Sequence, residues 1–174
     1  AYVMLHKPAG YECSRKPTFH PSVFQLLPPQ FAARDVQPIG RLDQDTTGLI
    51  LLSDDGQFIH TWSSGKKNTP KAYLITTAAE ITSQQIEHLL TGVQLHDEPH
   101  PVRAAACEAL DSHVLRMVIT EGKYHQVKRM LAAVHNHVVA LHRERIGGLV
   151  LPADLLPGEW RWLSSTDLQV LPQY

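Results

Sequence analysis

Gly40-Arg41-Leu42-Asp43-Gln44-Asp45-Thr46-Thr47-Gly48-Leu49-Ile50-Leu51-Leu52-Ser53 leads from a polar, turn-prone loop straight into an apolar run. Asp54-Asp55-Gly56 stops that run with turn chemistry, so Gly48 to Ser53 reads as a buried strand. Upstream, Tyr2 to His6 predicts an opening strand ended by Lys7-Pro8-Ala9-Gly10. Val23 to Leu27 predicts one helical turn closed by Pro28-Pro29. Downstream, Gln57 to Trp62 predicts a short helix ending near Gly65. Ala72 to Thr77, rich in β-branched and aromatic residues, predicts a strand. Thr82 or Ser83 can cap a helix that runs to Leu90 and stops at Gly92. Val102 to Leu110 and His113 to Thr120 predict two strands, joined as a hairpin through Asp111-Ser112. Val127, Met130, Leu131 and Val134 fall at i, i+3, i+4 and i+7, the apolar stripe of a helix. Arg129 lies nearly opposite that stripe and Lys128 on its flank. Val138 to Leu141 predicts a strand, Gly147-Gly148 a turn, Trp160 to Leu163 a strand and Ser164 to Leu171 a last helix. Runs of strands with a few interspersed helices give an α+β fold rather than a doubly wound one. The hairpin-length connections make it a mainly antiparallel mixed sheet flanked by helices and loops.

The 174 residues fit one domain with room for at most a small second one. An apolar fraction of 43% with 19% charged residues is enough for a core and excludes global disorder. No run reaches the roughly 18 apolar residues of a membrane-spanning helix. The first residues lack a basic start, an apolar middle and a cleavage site, so they do not read as a signal peptide. Cys13 and Cys107 are too few for a disulfide framework and point to a reducing compartment, the cytoplasm.

The formal net charge is −1, yet the charges are unevenly spread. Residues 60–75 carry Lys66, Lys67 and Lys71 and no acid. Residues 121–150 carry Lys123, Lys128, Arg129, Arg143 and Arg145 against Glu121 and Glu144. The stretch 80–111 is acidic. A neutral protein can in this way present one basic face, although such clusters are most often ordinary solvated charge.

Three segments carry candidate chemistry. The loop Gly40 to Thr47 places Asp43 and Asp45, with Arg41 beside them, at the edge of a rigid strand, where functional groups concentrate. On spacing alone, a loop Asp of this kind most often hydrogen-bonds backbone amides. Glu121 to Met130 is a polar turn feeding a helix that starts basic. Helix N-termini favour anions, so Lys123, Lys128 and Arg129 stand there against the macrodipole. Phosphate binding or pairing with a buried carboxylate would explain them; a solvated basic face is the plain alternative. Lys71-Ala72-Tyr73 sets an aromatic ring beside the basic run, where it could stack a base, although a core Tyr is the commoner case.

Other patterns are missing. The 11 histidines form no metal-ligand pattern of the expected kind, and no Cys-x2-Cys occurs, so no metal site is expected. There is no glycine-rich phosphate loop and no Gly-x-Ser-x-Gly elbow, so no nucleotide cofactor or serine nucleophile is expected either.

Taken together, the segments resemble the RsuA branch of pseudouridine synthases. Gly40-Arg41-Leu42-Asp43 with Thr46-Thr47-Gly48-Leu49 resembles its signature, and Met4-Leu5-His6-Lys7-Pro8-Ala9-Gly10-Tyr11 its opening motif. Lys71-Ala72-Tyr73 resembles its Lys-x-Tyr motif, and Gly122 to Met130 its late basic motif. His142-Arg143-Glu144-Arg145-Ile146-Gly147-Gly148 and Pro157-Gly158-Glu159-Trp160 complete the order, from Tyr2 to about Leu163. The resemblance implies that Asp43 is the catalytic aspartate, that Tyr73 packs against the target base and that Lys128 pairs with the carboxylate. It implies that Arg41 helps hold the flipped nucleotide; Lys71, Lys123, Arg129 and Arg143 are further candidates for substrate binding, and Arg129, on the outer face of its helix, is the candidate for a phosphate contact. The resemblance implies a monomer without cofactor or metal, acting on ribosomal RNA and on no membrane.

The chemistry required is compatible with these residues. Uridine must lose its N1–C1′ bond and gain a C5–C1′ bond, which needs a nucleophile but no redox group. Attack at C1′ (or deprotonation at C2′) and attack at the ring both stay open. Members of the branch usually carry an N-terminal RNA-binding domain of the S4 type. Residues 1–174 read as the catalytic domain alone, cut from a longer protein. The wording of the late motifs favours 16S rRNA, with 23S rRNA the alternative. A non-catalytic RNA-binding assembly factor, and a glycoside hydrolase built on two opposed acids, are the rivals from other classes.

Overall fold

The computed structural model describes residues 1–63 and 67–174. In chain order the elements are β1 (Tyr2–Lys7), a 3-10 turn (Val23–Leu26), α1 (Pro29–Ala33), β2 (Gln37–Ile39), β3 (Thr47–Ser53), α2 (Gly56–Ser63) and β4 (Lys71–Thr77). They continue with α3 (Ser83–Thr91), β5 (Ala106–Asp111), β6 (Val114–Ile119), α4 (Gln126–Ala133), β7 (Val138–Ile146), β8 (Leu149–Val150), β9 (Trp160–Trp162) and α5 (Ser165–Val170). The chain divides into two compact units. One comprises Ala1–Thr69 with Arg143–Tyr174, the other Pro70–His142, so the chain crosses between them just before β4 and again inside β7.

In the first unit, β1 lies between β3 and β9 and is antiparallel to both. Tyr2 faces Ser53, Lys7 faces Gly48, and Leu5 faces Trp160. The short β2 pairs with the far end of β3, Ile39 opposite Leu51. The apolar run in β3 is continuous because both of its faces are covered. Ile50 and Leu52 join Val3, Leu5 and Phe31 in one cluster, while Leu49 and Leu51 join Met4, Ile146, Leu163 and Leu171 in another. Each such side chain contributes roughly 1.5–3 kcal/mol of burial free energy.

In the second unit the strand order is β5-β6-β4-β7. β4 and β6 are antiparallel with Tyr73 opposite Met117, and β5 and β6 form the hairpin at Asp111. Val127, Met130, Leu131 and Val134 lie buried in one cluster with Tyr73, Ile75, Leu115 and Met117, so the apolar stripe of α4 is a core face. α3 has a full capping box between Thr82 and Gln85 and stops at Gly92.

The α+β class and the antiparallel ladders agree with the sequence. Four details differ. Pro29 opens α1 rather than closing the turn before it, because a proline at the first helical position gives up an N–H that would have no partner there. Pro38 sits inside β2, too short a strand for any periodicity. β5 starts at Ala106. Val102 instead exchanges two backbone hydrogen bonds with Val93, at 2.8 and 2.9 Å. β7 extends past Leu141 to Ile146 because Arg143 takes an inward position where the pattern calls for an apolar residue. The expected helix stop at Gly65, and Lys66 of the basic run, lie outside the described residues. No helix among the described residues is long and apolar enough to cross a membrane.

Candidate active site

Asp43 belongs to the first unit, in the loop between β2 and β3, and is half-buried. Its carbonyl accepts the Thr46 amide at 3.0 Å, which closes a tight turn over Gln44 and Asp45. The turn is fastened from below by Lys7, the last residue of β1, which has no exposed surface. Its Nζ donates to the carbonyls of Pro8 at 3.0 Å, Gln44 at 3.1 Å and Thr46 at 2.7 Å. The Gly10 amide donates to the Gln44 carbonyl as well, at 2.7 Å. Burial pulls the Lys7 amine below its usual range, and the nearby Cys13, Asp45 and Asp43 push it back up. A buried ammonium satisfied by three carbonyls therefore sets the path of the loop and gives it positive potential.

On the other side of the loop, Gly48 has φ +118° and touches Arg143 backbone to backbone. Arg143 is 4% exposed, and its Nε donates to the Leu49 carbonyl at 3.0 Å. Arg41 is exposed at the loop's entrance, while Leu42 behind it anchors the loop in the core with Val36 and Cys13. Burial raises the Cys13 thiol against the pull of Lys7, Arg143 and Arg41, and burial pushes Cys107 up to about 11. Neither cysteine is a ready thiolate.

The second unit holds the remaining candidates. Tyr73 is 8% exposed, its ring part of the core cluster, and Lys71 is half-buried where β4 begins. Lys128 is half-buried on α4. Lys123 pairs with Glu98 at 3.0 Å. Arg129 spends its guanidinium on two carbonyls, Nη1 to Tyr124 at 3.0 Å and Nη2 to His96 at 2.5 Å. Arg129 thus holds the backbone of the turn before α4.

Two residues escaped the sequence reading. Lys7 was visible as a cation at the end of an apolar strand, next to a proline turn, and that position is the signal. Gln126 lies buried at the start of α4, in line with Met130, and accepts the Lys123 amide while donating to Glu121, both at 3.1 Å. A polar residue on an apolar stripe was its mark.

Residues 1–133 match the family model described as RNA pseudouridylate synthase. The chain is 47% identical over 167 residues to ribosomal small subunit pseudouridine synthase A of Escherichia coli (strain K12), covering 96% of this chain and 72% of the relative. It is 41% identical to the protein of the same name from Haemophilus influenzae, over 98% of this chain and 73% of that one. A crystal structure of pseudouridylate synthase superposes with a TM-score of 0.92 at 41% identity, over 98% of this chain and 73% of the other. An H/ACA ribonucleoprotein bound to a substrate RNA shares the fold, with a TM-score of 0.63 at 13% identity, over 90% of this chain and 50% of that one.

Proposed function

The chain belongs to the RNA pseudouridylate synthase family, and from that premise we propose that it isomerises uridine to pseudouridine in 16S rRNA, in the cytoplasm. The observation that carries this reading is Asp43, half-buried in a Gly-Arg-Leu-Asp loop of a chain 47% identical to a small-subunit enzyme. In the reaction the N1–C1′ bond breaks, the uracil turns, and C5 bonds to C1′. The C5 hydrogen leaves to solvent as a proton, and N1 takes one up. Asp43 is the nucleophile.

The target base must leave its stack, at a cost of roughly a few kcal/mol. Stacking on Tyr73 offsets part of that cost. Arg41, Lys71 and Lys123 hold the nucleotide and its phosphates. Lys128 is assigned the cation that keeps the carboxylate ionised in a water-poor site; that role rests on motif order. Arg143 and Arg129 act behind these residues by bracing backbone, the first at Leu49 and the second at Tyr124 and His96. Lys128→Met is expected to lower kcat by roughly 100-fold, the scale of lost electrostatic stabilisation, and Lys128→Arg to recover part of it.

The test is tritium release from C5-tritiated 16S and 23S transcripts and from assembling small subunits, with Asp43→Asn alongside. Release from 16S, lost in Asp43→Asn while RNA binding persists, supports the reading. Release from 23S alone moves the substrate. Release that survives Asp43→Asn removes the nucleophile, and no release from any RNA or particle leaves a binding protein.

A further inference from the structure

The turn before α4 presents an aromatic pair that the core does not use. Tyr124 is 76% exposed. Its ring stacks on the His125 imidazole with centroids 4.0 Å apart and planes 19° apart. His125 holds a left-handed backbone at φ +45°, a conformation that residues with a Cβ adopt only at a cost. The turn is rigidly braced. Gln126 ties the Lys123 amide to Glu121, Arg129 ties the Tyr124 carbonyl to that of His96, and Lys123 is held by Glu98. Five side chains thus fix a turn whose most prominent group is a ring with one face covered by His125 and the other turned to solvent.

We propose that Tyr124, backed by His125, is a stacking platform for an unpaired base of the RNA substrate other than the uridine that is isomerised. The inference rests on the ribosomal RNA reading given above. Three features favour a nucleobase. A flat ring already stacked on a second ring extends naturally by one more planar group. Lys123, the residue before it, carries the positive charge assigned above to the phosphates of the RNA. The bracing removes the ordering cost that an exposed aromatic on a loose turn would add on binding. The hydrogen bond Tyr124 gives the turn comes from its backbone carbonyl, which any residue would provide, so its side chain can be changed without removing that bond.

The experiment compares the protein with Tyr124→Phe, Tyr124→Leu and Tyr124→Ala, measuring KM and kcat for tritium release from the 16S transcript and from assembling small subunits, and the melting temperature of each variant. Stacking on an aromatic ring predicts that Tyr124→Ala and Tyr124→Leu raise KM by roughly 10-fold, with kcat and melting temperature unchanged, while Tyr124→Phe stays near the parent. An unchanged KM in Tyr124→Ala overturns the platform. So does an equal loss in Tyr124→Phe, which assigns the effect to the hydroxyl, or an effect seen only on protein-containing particles, which assigns the ring to a protein partner. A KM change matched by a fall in melting temperature also overturns it, as a structural role. Absence of release by the parent protein on every RNA is a different failure: it removes the ribosomal RNA reading itself, and the platform with it.

Discussion

Gly48 and Arg143 meet backbone against backbone: a Cβ on Gly48 would stand 2.1 Å from the Arg143 carbonyl oxygen and 2.7 Å from its nitrogen. No side-chain rearrangement relieves a contact with main chain, and φ +118° adds its own strain to any other residue. Gly48→Ala is therefore expected to destabilise the protein by about 3 kcal/mol or more, read as a lower urea midpoint. Because the same backbone continues into the turn that carries Asp43, activity should fall even at temperatures where the variant is still folded.

Lys7→Met keeps the length of the side chain and removes its charge. Three carbonyls then lose a buried donor, for an expected loss of about 3 kcal/mol. Burial lowers the folded-state affinity of this amine for its proton below the usual 10.5. The unfolded chain therefore binds more protons just below that pH, and stability from this group rises with pH across that window. Subtracting the Lys7→Met stability curve from that of the parent should reveal that upward slope; a flat difference would show that Lys7 titrates normally.

Glu12 accepts the amides of Thr18, Phe19 and His20 at 3.1, 2.9 and 2.8 Å, and these bonds hold its carboxylate down to about 2 from the usual 4.5. The folded state then binds fewer protons than the unfolded one in that interval. The stability Glu12 supplies is complete above about 4.5 and is lost as pH falls toward about 2. Glu12→Gln should flatten the acid limb of the stability curve over that window while leaving the neutral-pH activity of the Asp43 loop in place.

Arg129→Ala frees the carbonyls of Tyr124 and His96. The expected effect is a loss of about 1 kcal/mol and faster amide exchange across residues 121–125. Its guanidinium is committed to backbone, so the salt dependence of RNA binding should stay as it is. A slope reduced by about one unit would instead identify a direct phosphate contact.

Much of this architecture can be read from local pattern. The Leu49 to Leu52 run and the stripe Val127-Met130-Leu131-Val134 each carry their own signal within a few residues and form as written, and of the two caps offered, Thr82 or Ser83, the helix uses Thr82. Lys7 does not, because its meaning depends on Gln44 and Thr46, which reach it only through the fold. Arg143 hides the length of β7, since a guanidinium whose Nε bonds the Leu49 carbonyl occupies a site that pattern reserves for an apolar group. The second crossing between the two units left no mark either: it falls within β7, where no change of composition or flexible linker announces it. At the candidate site, motif order singled out Asp43, whereas the support beneath its loop comes from groups distant in sequence.

That division has a consequence for synthesis on the ribosome. Pro70–His142 is one uninterrupted stretch, so every partner for its internal contacts is present once residue 142 has emerged. That is not so of the other unit, because β1 must wait for β9 and Gly48 must wait for Arg143. Contacts between residues so far apart in sequence close late. The segment bearing Tyr73 and Lys128 is thus completed first, and the turn that carries Asp43 is the last of these pieces to be fixed. A nascent chain stalled before residue 143 would hold one completed unit and an inactive enzyme.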